Sequence, residues 1–106
     1  MTKYMFQSNY VGEGVKGLLK EGGSSRVAAI EKAAQSLGGK LEAFYFAFGD
    51  VDAFVIMDLP DNASAAAAAL TVTASGAAVV KTTVLLTPQE VDNAAKKTPS
   101  YRAPGK

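Results

Sequence analysis

At 106 residues, with 48% hydrophobic and 20% charged side chains, the chain has the make-up of a single globular domain. A formal charge of +1 gives no reason to expect nucleic acid or an acidic membrane surface as a partner. The absence of cysteine excludes disulfides, thiol nucleophiles and iron–sulfur clusters, and the absence of histidine removes the commonest general base and metal ligand. No cofactor is expected, and only a carboxylate site for a hard cation would remain for a metal. The longest weakly polar stretch, residues 63–80, is too rich in Ala, Ser and Thr for a membrane span. No secretory apolar segment opens the chain, so a cytoplasmic location is expected.

Residues 3–10 alternate, with Tyr4, Phe6, Ser8 and Tyr10 on one side and Met5, Gln7 and Asn9 on the other, which predicts a first strand. Gly12 and Gly14 break it. Val15, Leu18 and Leu19 then follow helical spacing as far as Glu21-Gly22-Gly23. Ser24-Ser25 offers a new N-cap, and Val27, Ile30, Ala34 and Leu37 continue as an amphipathic helix that Gly38-Gly39 ends. Residues 40–48 and 51–59 form a hairpin about Gly49-Asp50. Pro60 stops it, Asp61 or Asn62 caps an alanine-rich helix over 63–74, and Gly76 closes that helix. A last strand runs over 79–86. Thr87-Pro88-Gln89-Glu90 then reads as a capping box for a helix reaching about Lys97. The domain therefore spans 1–97 and is followed by a tail, 98–106.

This β-α-β-β-α-β order is the ferredoxin-like pattern: an α+β fold with a four-stranded antiparallel sheet, its helices on one face, and here a C-terminal helix added. A two-residue hairpin turn puts Phe48 with Val51, Phe46 with Ala53, Phe44 with Val55 and Glu42 with Met57 on the helix side. The opposite face then carries Tyr45 with Phe54, Ala43 with Ile56, Leu41 with Asp58, and Ala47 with Asp52. Four large apolar side chains on that face, worth about 1.5–3 kcal/mol each when buried, call for a cover. A second copy packed sheet to sheet would supply it, giving a dimeric α/β barrel with a cavity between the sheets.

The chain resembles the GYD domain family of small bacterial proteins from Tyr4 to about Ala95. The matching residues run from Gly14-Val15-Lys16-Gly17-Leu18-Leu19-Lys20-Glu21 through Gly22-Gly23-Ser24-Ser25-Arg26, then Leu37-Gly38-Gly39-Lys40-Leu41 and Phe44-Tyr45-Phe46-Ala47-Phe48-Gly49-Asp50. They continue through Asp58-Leu59-Pro60-Asp61 to Lys81-Thr82-Thr83-Val84-Leu85-Leu86-Thr87. The resemblance implies a dimeric ferredoxin-like protein and names no reaction. The Gly-Tyr-Asp signature reads Gly49-Asp50-Val51-Asp52 here, so no role of the tyrosine passes to Val51.

For chemistry, Gly22-Gly23-Ser24-Ser25-Arg26 is the strongest ligand-binding candidate. Ser24 and Ser25 supply hydroxyls, a helix start supplies N–H groups, and Arg26 supplies a two-pronged donor suited to a carboxylate or phosphate. The same residues also make an ordinary capped joint with a solvated arginine. Tyr45, Asp52 and Asp58, with Lys81 from the last strand, are the candidates on the open face; a desolvated carboxylate there would act as a base. Equally, Asp52 ends a turn, Asp58 ends a strand and Tyr45 packs. Asp58 to Asn62 has oxygen ligands for a cation, though a helix cap accounts for them as well. The leading reading is a homo-oligomeric module that binds a small organic or anionic ligand or assembles further. The alternative is a cofactor-independent enzyme, monooxygenase- or isomerase-like, acting on a small hydrophobic substrate between the sheets, with Asp52 or Asp58 as base and Tyr45 and Arg26 orienting. That alternative rests on analogy of fold alone.

Overall fold

The period-two pattern at the start of the chain becomes β1 (Thr2–Tyr10), with Tyr4 and Phe6 buried and the intervening residues turned the other way. A computed structural model describes all residues, 1–106. After β1 come α1 (Glu13–Glu21), α2 (Gly23–Ser36), β2 (Lys40–Phe46), β3 (Ala53–Leu59), α3 (Asn62–Ala74), β4 (Ala78–Leu85) and α4 (Pro88–Ala95). The strands form one antiparallel sheet in the order β2-β3-β1-β4, the ferredoxin-like order. Helices α2 and α3 cover the same face, where they meet Phe6, Phe44, Val55 and Met57 across a shared space.

The ends of the helices follow from local chemistry. Gly22 (φ 85°) breaks the chain between α1 and α2 in a conformation that favours glycine. It is the N-cap of α2; Ser24 and Ser25, expected as caps, already lie in the first turn and are exposed. At the other end of α2, Gly38 (φ 81°) donates to the Gln35 carbonyl at 3.0 Å and Gly39 to Ala34 at 3.0 Å, a Schellman terminus. Asp61 caps α3, its Oδ1 accepting from the Ser64 N–H and hydroxyl, both at 2.8 Å. Thr87 and Glu90 form the expected capping box. Helix α4 stops at Ala95, short of Lys97. All its residues are exposed, and it stands off the body of the domain.

The hairpin keeps the expected pairs Phe46–Ala53, Tyr45–Phe54, Phe44–Val55 and Ala43–Ile56. Two details differ. The strands end earlier than a two-residue turn requires, and Phe48 stands fully exposed in the connection instead of packing under the helices. Glu42 is an extra, bulged residue, so Leu41 pairs with Met57 and Lys40 with Asp58. A bulge of this kind moves every earlier side chain to the other face. Leu41 therefore packs against the core and leaves the open face, contrary to the sequence expectation.

The core is small: Tyr4, Phe6, Ala34, Ala53, Val55, Met57, Leu59 and Ala65 are buried together. Tyr4 is 1% exposed, and its hydroxyl donates to Asn62 Oδ1 at 2.6 Å, locking the start of α3 to β1. The radius of gyration is 16.8 Å, against about 13 Å for a compact chain of this length. The surface area is 7335 Å², against roughly 5,600 Å² for a compact chain of this mass.

Candidate functional site

Two regions collect the chemistry: a cavity on the helix side of the sheet and the bare face opposite. The cavity follows from residue size. Where α2 and α3 border this space they present Ala68 and Ala69 and, exposed at its edge, Ala29 and Ala33, all too short to fill the gap. A space of about 400 Å³ remains, floored by Phe6, Val55 and Met57 and walled by Ile30, Phe44 and Val72. That volume lies within the range of about 300–1,000 Å³ typical of small-molecule pockets.

Polar groups gather at one end of this cavity. Tyr10 closes β1 and pairs with Ala78 at the start of β4, while Ser75 sits at the C-cap of α3 and Arg26 in the first turn of α2. Topology thus brings Tyr10, Arg26, Thr71 and Ser75 together as lining residues. Burial pushes the Tyr10 phenol above its ordinary pKa of 10.0, and the Asp52 carboxylate adds to the rise; the Arg26 guanidinium beside it pulls in the opposite direction. Arg26 belongs to none of the chain's ion pairs, and its Nε is buried without an acceptor. A buried donor left in that state is costly in an isolated chain. Tyr10 also borders a shallower groove of about 540 Å³ between α1 and the hairpin connection, lined by Val15, Leu18, Phe46 and Phe48.

The expected site residues are divided among these places. Arg26 enters the cavity, whereas Ser24 and Ser25 point to solvent, so the five-residue motif does not act as a unit. Tyr45 (71% exposed) and Lys81 lie on the open face, in one row with Phe54 and Gln7. Asp58 lies on that face two pairs further along. Asp52 is not on it: its Oδ2 accepts the Tyr10 N–H at 3.0 Å, and its own N–H donates to the Ser8 carbonyl and Asn9 Oδ1, both at 3.0 Å. Asp52 thus ties the hairpin connection to the end of β1 and borders the shallow groove. Tyr45, Asp52, Asp58 and Arg26 do not converge within one chain. The oxygens of the 58–62 stretch are likewise separately engaged, Asp58 by Lys3, Asp61 by Ser64 and Asn62 by Tyr4. Sequence reasoning missed Tyr10, Thr71 and Ser75 as cavity residues. The available signal was the run of alanines opposite large strand residues.

On the open face Lys3 Nζ donates to Asp58 Oδ1 and Glu42 Oε2, each at 3.0 Å. The bulge at Glu42 accompanies this reach across two strands. The hydrogen bond to Asp58, and then that to Glu42, raises the Lys3 pKa above its ordinary 10.5. The folded state therefore holds this proton more tightly than the unfolded chain. The stabilisation is complete below pH 10.5 and is lost as pH climbs through the raised value. Thermal melts of wild type and Lys3→Gln should stay separated at neutral pH and converge in strongly alkaline solution. A separation unchanged across that window would remove the triad from the stability of the fold.

The architecture defines a ferredoxin-like α+β domain with a bare sheet face and an alanine-walled cavity. The chain belongs to the GYD domain family, whose model matches residues 4–95. No curated protein and no solved structure matches it. No helix is long and apolar enough to cross a membrane.

Proposed function

We propose that this GYD domain is a homodimeric, cytoplasmic module that binds a small organic molecule. The observation that carries the reading is the uncovered sheet face. Tyr45 is 71% exposed and its partner Phe54 36%, with Ile56 and Met5 half-buried in the next row; Val79, 55% exposed, lies apart from them on β4 beyond Gln7 and Asn9. Contiguous aromatic and aliphatic side chains of this kind are characteristic of interaction surfaces. The area in excess of a compact chain, roughly 1,700 Å², is more than the ~800 Å² per partner of a standard interface. Both the bare sheet face and the projecting α4 contribute to it. A second copy is the fitting occupant because a two-fold contact sets the same apolar patch against itself. Packing the two faces gives the dimeric α/β barrel and leaves the helix-side cavities free for ligand. The enzyme reading has less support, since its acid–base candidates lie apart and are tied to Lys3 and to the Tyr10 amide.

Sedimentation velocity at micromolar concentration tests the assembly. The expected species has twice the 11.0 kDa chain mass. A single species at the chain mass would overturn the dimer.

A further inference from the structure

We infer that the helix-side cavity binds an apolar monocarboxylic acid, with its acid group at Arg26 and Tyr10 and its apolar body over Phe6, Val55 and Met57. The inference deepens the ligand-binding half of the proposed function and does not depend on the dimer.

The cavity is amphiphilic along its length. One end holds Arg26, Tyr10, Thr71 and Ser75, with Ser8 next to Tyr10 along β1; the remainder is apolar. An entirely apolar ligand would leave the Arg26 Nε unpaired in a desolvated place, where a missing partner costs most. A fully polar ligand would lose its own hydration against Phe44, Ile30 and Val72. An acid with an apolar body satisfies both ends. The charge balance then chooses among acids. Arg26 is the only cationic residue lining the cavity and has no acidic partner in the chain. One guanidinium with the neutral Tyr10 phenol and the Thr71 hydroxyl matches one negative charge, and its planar fork matches a carboxylate; the Ser75 hydroxyl is already donated to the Val72 carbonyl at 2.6 Å. A phosphate dianion would lack a second cation. Burial holds the Tyr10 phenol protonated as a donor, since its pKa is raised above 10.0. Ser24 and Ser25 take no part, so the recognition is by side chains inside the cavity and not by the start of α2.

The test uses the intact chain with decanoate as probe and decanol as its neutral counterpart. Calorimetry should give decanoate at least ten-fold tighter than decanol. The Arg26 Nε–H resonance of the wild-type protein should move on adding decanoate and stay in place with decanol. Arg26→Met keeps apolar bulk and should lose at least ten-fold in decanoate affinity while binding decanol as before. Because the resonance is read on wild type, the result stands even where the variant folds poorly. Equal binding of acid and alcohol, binding of neither, or shifts confined to Tyr45 and Phe54 on the other face would each overturn the inference. The mass in solution reports separately on the dimer: a dimeric chain that ignores decanoate overturns this inference alone, and a monomeric chain that binds it overturns only the assembly.

Discussion

Gly39→Ala is expected to destabilise the domain by about 3 kcal/mol, the upper range for forcing a group into a filled space. Gly39 is the residue on which α2 turns into β2. Its N–H closes the helix by donating to Ala34 at 3.0 Å, and its backbone passes directly over β3. A methyl group there would overlap the Asp58 carbonyl oxygen and come within 2.8 Å of Leu59 Cδ2. The carbonyl is backbone in a paired strand, and Leu59 is 0% exposed, so neither has room to yield. The strand would have to lift away from β3, loosening the Lys40–Asp58 and Leu41–Met57 pairs. Gly17→Ala is the matched control. It lies inside α1 with nothing within 4 Å of the new methyl, so a gain of about 0.5–1 kcal/mol is expected from helix propensity. Urea denaturation of both variants reads the difference; an unchanged midpoint for Gly39→Ala would contradict the packing of β2 on β3.

Phe54→Lys is expected to weaken self-association at least a hundred-fold, which is about 3 kcal/mol, with the fold of each chain retained. Phe54 sits in β3 opposite Tyr45 of β2 and Gln7 of β1, on the face away from the helices. Its ring supports none of the chain's own core, since Ala53 and Val55 on either side are the buried residues of that strand. A lysine there places a charge on the proposed interface, and a two-fold contact would bury that charge from both copies. The loss combines the burial of a phenylalanine, about 1.5–3 kcal/mol, with the desolvation and repulsion of the ammonium groups. Circular dichroism and thermal melting should report a folded chain, and sedimentation should report the single-chain mass. A variant with wild-type mass would place the interface elsewhere.

Much of this architecture could be read from local pattern. The alternation of Tyr4, Phe6, Ser8 and Tyr10, the paired glycines at Gly38-Gly39 and the Thr87-to-Glu90 box each act through neighbours along the chain, so their residues declare them. The four central hairpin pairs were legible for the same reason. The bulge at Glu42 was not. No glycine marks it, and its carboxylate reaches Lys3, a residue 39 positions away. Asp52 has the same character: its turn position was evident, but its acceptance of the Tyr10 N–H joins the hairpin connection to the end of another strand. Arg26 stood out by residue type, yet its neighbour in space is Tyr10 and not Ser24 or Ser25. The cavity was hidden because alanine reads in sequence as helix propensity. It becomes empty volume only when Ala29, Ala33, Ala68 and Ala69 are known to border one gap between the helices.

The central claim is that a second copy covers the sheet face left bare by α2 and α3. Isotope-filtered NMR on a mixture of labelled and unlabelled chains observes that contact directly. The account expects intermolecular contacts from Tyr45, Phe54, Ile56 and Met5. Contacts arising only from Phe48, Leu19 or Val91, or none at all, would contradict it.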